Sequence, residues 1–143
     1  MARPDRLQYL IRLGYDGSRF YGVPNQPGYP TVSVALRERL EAAAGQRARA
    51  LNFTARTDRG VHALENLATC WFLPPFDSNA FESAVAVDRP DGLIDVVAEP
   101  TDFHTHARNV SRGKWYRYRL RTDGQHDVRA WTIQQLVNME AMQ

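Results

Sequence analysis

Apolar positions alternate from Leu7 to Tyr15, with Tyr9, Ile11 and Leu13 set against Leu10 and Arg12, and this period of two predicts a first strand. Periodicity then disappears in "DGSRFYGVPNQPGYP", where three glycines and three prolines mark a long loop. A loop of that length in a small domain is usually functional or mobile. "TVSVALRERLEAAAG" returns to the helical period: Val32, Leu36, Leu40 and Ala43 form one apolar stripe, Thr31 offers a cap and Gly45 a stop. Strands are expected from Arg49 to Arg56 and from Asn66 to Leu73, followed by a short helix in "DSNAFESAVAV" with Asp77 as its cap. "GLIDVVAEP" reads as a fourth strand stopped by Pro100, and Lys114 to Arg121 as a further one.

The order strand, helix, strand, strand, helix, strand matches the ferredoxin-like split βαβ pattern. The expected fold is therefore α+β: an antiparallel sheet with helices on one face. No internal repeat or low-complexity tract interrupts it. The last stretch, "WTIQQLVNMEAMQ", begins another helical pattern and reads as the entrance to a second unit.

At 143 residues and 43% apolar content, one domain with a real core is expected. The net charge of +2 says little, but its distribution says more. Arg108, Arg112, Lys114, Arg117, Arg119 and Arg121 follow one another without an intervening acid. Such a cluster can hold a polyanion, or can simply be the solvated face of a strand. The single cysteine, Cys70, excludes an internal disulfide framework and a multi-cysteine zinc site, and its apolar surroundings suggest plain burial. The amino-terminal residues contain no apolar stretch suited to a signal peptide or a membrane span, so a cytoplasmic setting is expected.

Candidate chemistry concentrates in "ARTDRGVHALENLATCWF", where Arg56, Asp58, Arg59 and His62 surround Gly60 just before an apolar run. Asp two residues before Gly is common turn chemistry. On an extended strand Arg56 would share parity with Asp58, and a carboxylate beside Arg⁺ stays ionised through pH 7. Such a group suits a nucleophile or an electrostatic partner better than a general acid, and spacing alone leaves salt bridge and nucleophile both open. In the last predicted strand, Trp115, Arg117, Arg119 and Arg121 alternate with Tyr116, Tyr118 and Leu120. Arginines hold phosphates, and a tyrosine ring either stacks on a base or packs within the sheet. His104 and His106 share strand parity but lack an evident third metal ligand. No Walker or Rossmann glycine loop is present.

"RTDRGVHA" resembles the signature turn of the tRNA pseudouridine synthase A family, which carries that family's catalytic aspartate. "YDGSRFYG" is similar to the family's first strand and loop, "TVSVALRERLEAA" to its first helix, and "HARNVSRGKWYRYRL" to its His-Ala-Arg segment and Lys-x-Tyr-x-Tyr strand. The blocks occur in family order across almost the whole chain. The resemblance implies that Asp58 is catalytic, with Arg56 beside it, and that Tyr116 packs on the target base. It places Arg108 and Lys114 near the cleft and the RNA path, and Arg112, Arg117 and Arg119 of the basic run are the expected RNA-binding residues. The implied reaction isomerises uridine to pseudouridine in the anticodon stem-loop of tRNA, with no metal or organic cofactor. A homodimer or a complementary carboxy-terminal domain is the expected partner.

The chain also departs from the family pattern. Ala55 replaces the usual Gly before Arg-Thr-Asp, and "GVPNQ" replaces Gly-Trp-Gln-x-Gln, keeping only Gly22 and Gln26. Asn66 and Ser33 occupy usual glutamine positions. The expected organisation is a catalytic domain over residues 1–122, then a linker and the start of a second domain over residues 123–143. The competing expectations are an RNA-binding or interaction module derived from the enzyme, and a ferredoxin-like protein that binds a partner along a sheet edge.

Overall fold

The structure, a computed structural model, describes residues 5–121 and 131–132. The first strand, β1 (Leu7–Tyr15), forms where its alternation places it: Tyr9, Ile11, Leu13 and Tyr15 are buried while Gln8, Leu10 and Arg12 are half-buried. It lies inside a four-stranded antiparallel sheet ordered β2 (Arg49–Phe53), β3 (Ala63–Phe72), β1, β4 (Leu93–Thr101). β3 lies between β1 and β2, and β1 lies between β3 and β4. Two split βαβ units are thus interleaved, which is the ferredoxin-like arrangement that the order of elements predicts.

The helices α1 (Val32–Ala44) and α2 (Ser78–Val85) cover one face. Small residues beside β1 make room for its large side chains: Tyr9 pairs with Cys70, and Ile11 sits between Ala68 and Ala98. Leu36 and Leu40 from α1, and Phe81 and Val85 from α2, fill the layer above. Tyr9, Phe72, Phe76 and Phe81 close one end, with ring centroids 4.9–6.0 Å apart and mostly edge-to-face geometry. Burial pushes the Cys70 thiol up to about 12, so it packs as a small apolar group. One charge enters the core. Arg39, 3% exposed, forms a two-pronged pair with Asp91 (2.8 and 2.7 Å) and fixes α1 against the α2–β4 connection.

Asp77 caps α2 through the Ala80 amide (3.0 Å), and Gly45 ends α1 at φ +66°. Thr31 precedes α1 but its hydroxyl bonds no helix amide. The carbonyls of Gly22 and Val23 accept from Val32 N and Ser33 N instead (3.0 and 3.1 Å), which ties the long loop to the helix. β4 continues through Pro100 to Thr101; among the described residues β1 is its one strand neighbour, and edge strands tolerate proline. A one-turn helix that the sequence pattern did not predict, α3 (Ala107–Val110), bonds Thr69. Thr69 alternates with Ala68 and Cys70, so α3 sits on the sheet face opposite α1 and α2.

The chain divides into two compact units, Met1–Arg112 and Gly113–Gln143. In the second, residues 113–119 carry no regular structure; β5 (Leu120–Arg121) pairs in parallel with β6 (Trp131–Thr132). The strand expected from Lys114 to Arg121 is therefore limited to its last two residues. Trp115, Tyr116 and Tyr118 are 101%, 57% and 67% exposed, so no buried face fixes an alternation there. The helical pattern expected from Trp131 begins instead with two strand residues, and its remainder lies outside the described residues.

Candidate active site

After Phe53 the chain leaves the sheet and re-enters it at Ala63. The apex of this excursion is a turn in which Val61 N donates to Asp58 O (3.2 Å) and Gly60 takes φ +80°. That positive φ, at the third position of the turn, is what glycine supplies without steric cost. Asp58, Arg59 and Gly60 all face solvent.

The side chain of Asp58 is exposed, but its backbone is held firmly. Thr57 O accepts from Val23 N (3.0 Å), and Thr57 Oγ1 lies 2.7 Å from the Tyr15 hydroxyl. Tyr15 is buried, and its oxygen also accepts from Asn66 Nδ2 (3.2 Å), so one hydroxyl joins the turn to β3. Asn66 also clamps Ala55 in both directions, through Nδ2 to Ala55 O (2.9 Å) and Oδ1 from Ala55 N (3.3 Å). The two loop glycines complete the brace. A Cβ on Gly17 would stand 2.1 Å from Val61 O, and one on Gly22 would stand 3.0 Å from Thr57 O. Only hydrogen fits between the first loop and the turn at Gly17.

His62 closes the turn against the same loop, its Nδ1 accepting from Gly17 N (3.0 Å). The Asp16 carboxylate lies 3.3 Å from that nitrogen, which cannot accept from Gly17 and carry a proton to Asp16 at once. The Gly17 bond places the proton of the neutral ring on Nε2. Hydrogen bonds from Ser18 hold the Asp16 carboxyl below its ordinary value, with the Arg19 charge adding to the effect.

The remaining candidates divide between the two units. Arg56 is exposed on the excursion, and among the described residues no ion pair joins it to Asp58. Their expected strand parity does not arise, because β2 ends at Phe53. Arg108 is exposed on α3, which docks at the base of the excursion: Thr54 Oγ1 donates to Ala107 O (2.7 Å) and Ala107 N to Thr69 Oγ1 (3.2 Å). His106 Nδ1 accepts from Arg108 N (3.1 Å), so this histidine acts as a helix cap. No group of three His, Cys, Asp or Glu suited to a metal occurs among the described residues. Arg112 is exposed at the end of the first unit. Lys114, Tyr116, Arg117 and Arg119 are exposed in the second unit.

Sequence reasoning singled out Asp58 but passed over the residues that carry its turn: Tyr15, Gly17 and Thr57. One signal was available in Asn66, a polar residue at a position of β3 whose parity belongs to Ala68, Cys70 and Phe72. A buried carboxamide at a core position needs partners, and the nearby excursion provides them.

Fold and turn together define an α+β domain that presents an exposed carboxylate on a held turn, flanked in sequence by Arg56 and Arg59. Sequence comparison narrows that class. The chain is 35% identical over 121 residues to the tRNA pseudouridine synthase A of Neisseria gonorrhoeae (strain NCCP11945), covering 84% of this chain and 45% of the relative. It is 31% identical over 116 residues to that of Geobacillus sp. (strain WCH70), covering 81% and 47%. It is also 31% identical over 140 residues to that of Bradyrhizobium sp. (strain BTAi1 / ATCC BAA-1182), covering 94% and 57%. The chain spans about half the length of these curated relatives. No protein-family model matches it. It is a partial counterpart of proteins named tRNA pseudouridine synthase A.

Proposed function

We propose that the chain is the catalytic-aspartate part of a tRNA pseudouridine synthase that isomerises uridine in the anticodon stem-loop. The observation that carries this reading is the contrast at Asp58: an exposed carboxylate on a backbone fixed by Val23, Tyr15, Asn66 and the loop glycines. A nucleophile needs such positioning before any electrostatic help counts. Asp58 attacks either C1′ of the ribose or C6 of the ring. The N1–C1′ bond breaks, the base turns, C5 joins C1′, and the C5 proton leaves as N1 gains one. Atoms balance without an oxidant, reductant or cofactor.

The target base must leave its stack, which favours loops over intact duplex. Tyr116 holds the detached base by stacking, and Arg56, Arg108 and Lys114 line the substrate. Arg112, Arg117 and Arg119 take backbone phosphates. Solvent exposure of Asp58 supports the need for a cover, supplied by a second copy in a homodimer or by a complementary carboxy-terminal domain. A tRNA substrate implies a cytoplasmic site of action, and among the described residues no helix is long and apolar enough to cross a membrane.

Release of tritium from C5-labelled uridine in tRNA tests this reading. Release is expected once a carboxy-terminal half from a relative is added. A folded chain that binds tRNA but never releases tritium, with or without that half, would mark it as a binding module.

A further inference from the structure

The long glycine- and proline-rich loop does more than brace the Asp58 turn. It holds one aromatic ring out in solvent. Tyr29 is 53% exposed, yet its backbone is fixed by a Pro27-Gly28 turn in which Tyr29 N donates to Gln26 O (3.1 Å) and Gly28 takes φ +84°. Gln26 Nε2 donates to Tyr21 O (2.8 Å), and Tyr21 N donates to Pro30 O (2.8 Å), closing the loop on itself.

Behind Tyr29 stands Tyr21, with centroids 4.5 Å apart and planes tilted by 38°. The Arg59 guanidinium lies 4.2 Å from the Tyr21 centroid. Arg59 directly follows Asp58, and no carboxylate among the described residues pairs with it. A cation and two rings thus run from the Asp58 turn to an open aromatic face. A ring needed only for packing would be buried, and a loop needed only as a link would not require these closures.

We infer that Tyr29, backed by Tyr21 and Arg59, is a stacking site for an unpaired RNA base next to the one on which Asp58 acts. The inference rests on the RNA-modifying reading above and adds a second nucleotide position to it. Every base has a face to stack, so this site supplies affinity and register rather than base identity; Arg59 holds the adjoining phosphate.

Binding of a fluorescent RNA stem-loop with an unpaired loop, compared across Tyr29→Ala, Tyr29→Phe and the unchanged chain, tests the inference. Tyr29→Ala should weaken binding about 5- to 150-fold, while Tyr29→Phe keeps the affinity. Stem-loops made abasic at successive loop positions locate the partner. At one position the missing base should abolish the difference between the unchanged chain and Tyr29→Ala. Unchanged binding by Tyr29→Ala, equal losses for Ala and Phe, or an Ala effect that persists with every abasic RNA would each overturn the stacking site. Failure of the unchanged chain to bind the stem-loop would overturn the RNA reading along with it. Asp58-dependent tritium release with unchanged Tyr29→Ala binding would overturn the stacking site alone.

Discussion

Gly17→Ala separates the brace from the chemistry. The new Cβ would lie 2.1 Å from Val61 O and 2.3 Å from Val61 C, whereas ordinary contact begins near 3.4 Å. Both obstacles are backbone atoms, so no side chain can swing aside. The loop and the turn must part by more than an ångström, which also stretches the 3.0 Å bond from Gly17 N to His62. Overpacking of this kind costs about 1–3 kcal/mol in urea unfolding. A displacement of about 1 Å at a reacting group costs about 100-fold in rate, so tritium release should fall by that order while the sheet stays folded. Gly45→Ala is the control: it also replaces a glycine, here one of positive φ, +66°, but its Cβ meets nothing within 4 Å. It should cost about 1–2 kcal/mol in stability, from a Cβ at left-handed φ, and leave release unchanged. Equal activity of Gly17→Ala and Gly45→Ala variants would refute the idea that the first loop positions Asp58.

Tyr15→Phe removes the hydroxyl between Asn66 and Thr57, leaving buried polar groups short of a partner; a loss of about 1–3 kcal/mol in urea unfolding is expected, together with slower tritium release. Asp91→Ala leaves the buried Arg39 cation unpaired and should cost about 3–5 kcal/mol in the same unfolding measurement, while folded protein binds tRNA with unaltered affinity. Replacing both Arg117 and Arg119 by Ala should lower the steepness with which log affinity for tRNA falls against log salt by about 2, read from binding titrations at several salt concentrations.

The parts of the fold legible in the sequence were those fixed by burial on one side. β1 could be read residue by residue because Tyr9, Ile11 and Leu13 all meet the same helix layer. α2 could be read from its cap, Asp77, and it buries Phe81 and Val85. Residues 113–119 misled because alternation of Arg and Tyr imitates a strand even where neither side is buried. The end of β2 was overrun because local pattern does not show where a strand loses its neighbour. In the site, charge and turn drew the eye to Asp58, and the resemblance of "RTDRGVHA" to a family signature singled it out. Its supports did not stand out, since Tyr15 and Gly17 meet Thr57 and Val61 across more than 40 residues of chain, a proximity that only the folded sheet creates.

The central claim, that Asp58 is the nucleophile of a uridine isomerisation, is tested most directly by tritium release from C5-labelled tRNA. The chain is combined with a relative's carboxy-terminal half, and wild type is compared with Asp58→Asn. The substitution removes a charge at nearly constant size on a backbone held by other residues, so folding and tRNA binding should remain. The account predicts release by the wild type and none by Asp58→Asn at equal bound tRNA. Release that persists in Asp58→Asn, or that fails in both while tRNA stays bound, would contradict it.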